Sequence, residues 1–300
     1  MKKVIYTLLV LLGCYLPSMA QQDPIYSQYV FNGQVLNPAY MSMDESARLS
    51  VDGRNQWVGV DGAPKTATFS FTTPLNERGT HVGFSALRES ITVDSRTDFN
   101  LFASQKVDIN EELHLGMGLL VGMSQYKENN AELITTDPTF ASNLSYFKTN
   151  VGFGFALFTE KFYLGLAAPM FKSFDLGKSV NKIVTKPHFY LQAAYAFDIN
   201  ENLVFKPTLL LRSVKGSGLN YDANVSFLLK EVVWLGASWR SEKTVTGMVG
   251  VRITPQLEMA YSYDTPTNGN LKGAQSISHE LMISYRFGFS SDHEILPRIF

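Results

Sequence analysis

The side chains able to do chemistry are few and scattered. The five histidines, His81, His114, His188, His279 and His293, fall at no metal-binding spacing such as His-Glu-x-x-His. A membrane phospholipase would need a serine and a histidine converging on its outer wall. His188 and His279 read better as an interior and a strand-end residue. Asp108-Ile109-Asn110-Glu111-Glu112 and Asp198-Ile199-Asn200-Glu201-Asn202 resemble calcium loops in composition. They are too short for an EF-hand and sit where tight turns are expected. Gly216-Ser217-Gly218 is ordinary turn chemistry, not a phosphate loop. No catalytic residue, cofactor or metal site is read from the chain, and an enzyme is not expected. A net charge of −1, from 26 basic and 27 acidic residues, gives no polybasic signature for nucleic acid.

The informative pattern is an alternation. Val151, Phe153, Phe155 and Leu157 share one face of an extended chain, and Asn150, Gly152, Gly154 and Ala156 the other. Leu113, Leu115, Met117, Leu119, Val121 and Met123 alternate in the same way with His114, Gly116, Gly118, Gly122 and Ser124. About fourteen such stretches are read, near 47–57, 65–74, 80–89, 96–108, 112–125, 146–158, 161–171, 187–198, 203–213, 219–229, 231–241, 244–254, 257–265 and 279–289. No long apolar run suits a membrane helix. Two all-β folds fit. A soluble sandwich would bury the large apolar face against a second sheet. A transmembrane antiparallel β-barrel would turn it toward lipid and line its interior with the small, polar face.

The leader and the connections favour the barrel. Lys2 and Lys3, the apolar run Val4 to Leu12, and small Ser18 and Ala20 before Gln21 form a cleavable signal peptide over residues 1–20. Leu11-Leu12-Gly13-Cys14 loosely matches a lipobox, but a better cleavage site follows it. The single cysteine, Cys14, would leave with the leader, so the mature chain has no thiol chemistry. Even-numbered connections are short and polar, as at Asn76-Glu77-Arg78-Gly79, Glu160-Lys161 and Lys230-Glu231. The long connections, 126–145, 172–186 and 266–278, fall at odd positions. That matches short periplasmic turns and longer extracellular loops. Outer-membrane lipid is therefore the expected surrounding.

The domain plan is a leader (1–20), an irregular segment (21–46), a barrel (47–289) and a periplasmic tail (290–300). Fourteen strands enclose more space than side chains alone can fill. The irregular segment offers Tyr26, Tyr29, Phe31, Leu36 and Tyr40 as filling, with Pro38 fixing a turn, so it is expected to plug or cap the lumen. Asp52, Arg54, Lys206, Arg212, Asp222, Arg240, Arg252, Glu258, Asp264, Glu280 and Arg286 fall on the inward phase. Their mixed signs predict internal salt-bridge ladders that would also hold a plug. Pro207 removes a ladder donor in mid-strand and is expected to mark a bulge or an interruption where another chain could approach. The tail ends in Leu296-Pro297-Arg298-Ile299-Phe300, an apolar tip that either folds back on the barrel or serves as a docking peptide for a periplasmic partner.

Several motifs resemble the PorP/SprF family of type IX secretion and gliding-associated outer-membrane proteins. The first is Asp23-Pro24-Ile25-Tyr26-Ser27-Gln28-Tyr29, followed by Asn37-Pro38-Ala39-Tyr40. Then come Arg54-Asn55-Gln56-Trp57 and Gly62-Ala63-Pro64-Lys65-Thr66. Tyr261-Ser262-Tyr263-Asp264, Ser278-His279-Glu280, Tyr285-Arg286-Phe287 and Pro297-Arg298-Ile299-Phe300 complete the set. Leu87 to Asp94 departs from the pattern. The resemblance implies Bacteroidota, the outer membrane, and work with the type IX apparatus. It implies help in exporting, or anchoring at the surface, a cargo with a type B C-terminal domain. It also implies contact with an OmpA-like peptidoglycan-binding lipoprotein or other type IX components. A porin, or a FadL-like passive transporter for a small or hydrophobic solute, is the alternative that strand count alone supports.

The topology is testable because the mature chain carries no native thiol. Cysteines introduced at Asn129, Lys178 and Asn270 should react with an impermeant thiol reagent on intact cells, and cysteines at Glu160 and Lys230 should stay silent. Labelling at Glu160 in intact cells would reverse the orientation.

Overall fold

The computed structural model describes residues 26–132, 142–176, 186–214, 218–267 and 277–287. The leader with Cys14, the tail with Leu296, Pro297, Arg298, Ile299 and Phe300, and Lys178, Asn270 and His293 lie outside the described residues.

The strands are β1 (Ala47–Asn55), β2 (Lys65–Pro74), β3 (Thr80–Ile91), β4 (Asp94–Asp108), β5 (His114–Glu128), β6 (Leu144–Phe158), β7 (Phe162–Leu176), β8 (His188–Tyr195), β9 (Phe197–Asn200), β10 (Leu203–Val214), β11 (Asn220–Leu229), β12 (Val233–Arg240), β13 (Thr244–Arg252), β14 (Leu257–Pro266) and β15 (Ser278–Phe287). Each pairs antiparallel with its neighbours in one sheet, and β1 pairs with β15 to close it. Closure leaves no unpaired edge, which a sheet in lipid requires.

β8 and β9 are two pieces of one wall segment. Both pair with β10, with Thr208 facing Ala194 and Phe205 facing Phe197, so one register runs through the break at Ala196. In that register Pro207 stands opposite Tyr195 and has no N–H to offer it. The Ala196 N–H turns the other way, to the Lys161 carbonyl at 2.8 Å. The wall is thus a fourteen-strand barrel in which the strand facing Pro207 is interrupted, while β10 itself runs unbroken through the proline.

The alternation sets the two faces. Leu101 and Leu119 are 67% and 64% exposed on the outside. Gly118, Leu120, Gly122 and Ser124 are buried inside. Outward aromatics gather toward both rims. Tyr195, Phe197, Phe205 and Phe227 form a chain of ring contacts at one end. Tyr221 with Trp239, and Tyr263 with His279, do so at the other. Two such belts are the signature of a wall crossing a bilayer.

All connections at one end, such as 159–161, 201–202 and 230–232, have at most five residues. Lys230 and Glu231 take positive φ, 49° and 57°, at the centre of the turn that the Val232 N–H closes onto the Leu229 carbonyl at 3.0 Å. The other end carries the long connections 129–143, 177–187 and 267–277. It also holds a tight hairpin at Thr92-Val93, with Thr92 at φ 52°. The strands there run to Ile91 and from Asp94, beyond the 80–89 and 96–108 read from the sequence.

A charge placed on the outer face should be costly. Leu119→Arg should lower folding stability in lipid vesicles by about 2–4 kcal/mol if Leu119 faces the bilayer midplane. An unchanged urea midpoint would place that face elsewhere.

Candidate functional site

Residues 27–43 lie against the inward side chains of the wall, and all but Val35 are buried. Three short 3-10 turns, Gln28–Val30, Gly33–Val35 and Tyr40–Met43, carry the chain from the long-loop end to the start of β1. A segment this short cannot pair its own backbone groups, so the wall and local turns must satisfy them.

At the long-loop end the wall answers with charge. Arg212, Asp222, Arg240, Asp264, Arg54 and Glu280 form a ladder of alternating sign across β10, β11, β12, β14, β1 and β15. Successive contacts are 3.0, 3.1, 3.7, 2.5 and 2.6 Å. The segment is tied into this ladder. The Ser27 and Gln28 N–H groups donate to the two Glu280 carboxylate oxygens at 2.8 and 3.0 Å. The Ser27 hydroxyl donates to Asp264 at 2.9 Å. Arg240 donates to the Ser27 hydroxyl at 2.8 Å and to the Tyr26 carbonyl at 3.1 Å. Glu280 thus holds Arg54 from the wall on one side and two backbone donors of the segment on the other.

Midway, shape takes over. Asn37-Pro38-Ala39-Tyr40 is a turn with proline at its second position, closed by Tyr40 N–H to the Asn37 carbonyl at 3.0 Å. The Asn37 amide donates to the Phe155 carbonyl at 3.0 Å and to the Tyr163 hydroxyl at 3.1 Å. Glycines of the wall let this turn approach. A Cβ on Gly118 would strike the Pro38–Ala39 peptide, and one on Gly154 would strike the Asn37 side chain. On the opposite wall Tyr29, Val30, Phe31 and Leu36 pack into a cluster with Leu210, Leu228, Trp234, Met248 and Met282. Phe31 meets Trp234 edge-on at 6.3 Å. At the short-turn end Asp44 lies 3.9 Å from both Arg48 and Arg286, and its carbonyl meets His81 Nε2 at 2.8 Å.

The residues singled out from sequence are brought together unevenly. Tyr29, Phe31, Leu36, Pro38 and Tyr40 are buried inside the wall. Tyr26 is half-buried, its hydroxyl 3.3 Å from that of Thr68. Every inward charge named above is buried or half-buried. Asp52 is buried one pleat from Arg54, and Arg252 stands opposite Glu258. His188 is buried inside the wall. His279 opens β15 on the outer face, its Nδ1 2.5 Å from the Tyr261 hydroxyl. The sequence reading missed the large apolar residues of the lumen, Leu120, Leu210, Leu228, Trp234, Met248 and Met282. Their phase was a usable signal: Trp234 shares it with Arg240, and Leu228 with Ser226.

These features define an integral outer-membrane β-barrel. The profile of the type IX secretion system membrane protein PorP/SprF family matches residues 18–285, and the chain belongs to that family. It is an outer-membrane protein of the type IX secretion system. No curated protein matches the sequence. Among solved structures, the CymD monoaromatic hydrocarbon channel superimposes with a TM-score of 0.51 at 13% identity, over 93% of this chain and 97% of that one. The Acinetobacter baumannii outer-membrane protein Omp33 gives 0.49 at 10%, over 82% and 100%. A Pseudomonas aeruginosa FadL homologue gives 0.47 at 13%, over 91% and 96%. At such identities the likeness concerns the fold alone.

Removing one partner of a buried ion pair leaves the other uncompensated. Arg54→Met should destabilise the barrel by about 3–5 kcal/mol. A heat-modifiability midpoint within error of wild type would show that the ladder is not held as described.

Proposed function

We propose that residues 26–46 are a resident plug that keeps the lumen shut, so that the barrel serves the secretion apparatus as a closed scaffold. The observation that carries this reading is the Glu280 carboxylate, shared between Arg54 of the wall and the Ser27 and Gln28 amides of the segment. A conduit would gain nothing from family motifs that converge on its own obstruction.

On this reading the barrel presents its two ends to partners. The long connections, 126–145 and 172–186 among them, face the exterior and rest against a cargo with a type B C-terminal domain, assisting its export or its retention. The tail 290–300, with Leu296, Pro297, Arg298, Ile299 and Phe300, docks an OmpA-like peptidoglycan-binding lipoprotein or another periplasmic component. Family membership supports association with secretion components in general. The tail lies outside the described residues, so its role rests on its sequence.

Planar-bilayer recording tests the closed scaffold. The full-length barrel should be silent, and deletion of residues 27–43 should open a steady ion conductance or unfold the barrel. A conducting full-length barrel would favour a porin or FadL-like passive transporter. A silent, heat-stable deletion variant would remove the plug from the account. Truncating Leu296–Phe300 should leave the barrel assembled and reduce recovery of periplasmic partners on pull-down.

A further inference from the structure

The outer face near the long-loop end departs from the apolar rule across β2 to β5. Pairing registers place Lys65, Ser90, Ser95 and Lys127 in a single row across β2, β3, β4 and β5. One step toward the bilayer lie Arg88, Thr97 and Gln125, again in register. One step further the row is Phe69, Ala86, Phe99 and Met123. The change from ring and methyl to cation and hydroxyl is completed within two pleats.

The sign of the charge is uniform. Lys65, Arg88 and Lys127 are exposed on this face, and among the described residues none of them enters an ion pair. The acids of these strands at this end, Glu89, Asp94, Asp98 and Glu128, stand on the inward phase. At the other end the exposed cation Lys161 has a protein partner. It meets Asp198 at 2.8 Å. A lipid-facing cation is costly at the midplane and tolerated near the headgroups. Lysine reaches that level by laying its methylenes along the apolar wall. Three such cations without a carboxylate between them call for anions from outside the protein.

We infer that this sector binds the phosphates of a phosphorylated glycolipid in the outer leaflet, clamped by Lys65, Arg88 and Lys127 with the Ser90, Ser95 and Thr97 hydroxyls between them. Lys65 and Lys127 are three strand spacings apart, roughly 14 Å. One headgroup carrying more than one phosphate can therefore meet both. Phosphate suits the arrangement because ammonium and guanidinium groups give it charge-assisted hydrogen bonds, and hydroxyls add neutral ones. The outer leaflet follows from the long connections at this end. The inference is independent of the plug and of cargo binding.

The test uses the full-length mature barrel in neutral detergent, with purified bisphosphorylated lipid A as probe. Lipid A should raise the heat-denaturation midpoint by several degrees, and the same lipid stripped of its phosphates should not. Lys65→Gln/Arg88→Gln/Lys127→Gln should keep the lipid-free midpoint and lose the lipid-induced shift. Lys65→Arg/Lys127→Arg should retain the shift. If the triple variant does not assemble, Lys65→Gln and Lys127→Gln singly should each reduce it. A full shift in the charge-neutralised variants, or an equal shift with dephosphorylated lipid, would overturn the inference. So would an equal shift with phosphatidylglycerol or inorganic phosphate, which would assign the cations to anions in general. Failure of external thiol labelling at Asn129 would overturn the leaflet assignment separately.

Discussion

A carboxylate buried inside a barrel has to be met by a cation or by donors, and Glu280 is met by both. Arg54 approaches at 2.6 Å from the neighbouring strand, and the Ser27 and Gln28 amides from within the lumen. Remove the segment and Glu280 and Asp264 each lose donors. Remove the wall carboxylates and the segment's first turn has nothing to hold. Desolvating charge in a poorly polarisable interior makes this dependence mutual. The wall and its contents are in that sense one structure.

The rest of the interior follows from filling a wide barrel. One side is lined with glycine and small residues, so the Asn37-Pro38 turn lies close to the wall. The other side carries Leu210, Leu228, Trp234 and Met282, which meet Phe31 and Leu36 as a packed apolar cluster. Lys206 lies with its ammonium 4.7 Å from the Trp234 ring centre and 3.4 Å from the Val30 carbonyl. Dispersion and apolar burial therefore hold the middle of the segment, while ion pairing fixes its two ends. An ion ladder alone would leave gaps that water fills.

Much of this was legible in the chain because the strand period is two. Alternation at 113–123 and 150–157 gave the wall. Short and long connections gave the topology; Pro207 pointed to an irregularity, which falls in the facing β8–β9 segment and not in its own strand. The inward phase gave every member of the charge ladder. Pairing did not follow: that Arg54, Asp264 and Glu280 converge with Ser27 depends on how four distant segments meet around a closed sheet. The motifs that carry the family resemblance contain all four residues, and only the fold shows why they travel together. The apolar lumen was hidden for a different reason. A large residue among small ones, such as Leu120 between Gly118 and Gly122, reads as an exception until its partners Met41 and Phe102 are in place.

The central claim is that residues 27–43 are part of the folded barrel and are gripped at Glu280. Amide hydrogen exchange on the reconstituted protein addresses it directly. The Ser27 and Gln28 amides should exchange as slowly as those of β1 and β15, and Glu280→Gln should speed both while leaving the strands protected. Exchange of Ser27 and Gln28 at the rate of an unstructured peptide in the wild-type barrel would contradict the account.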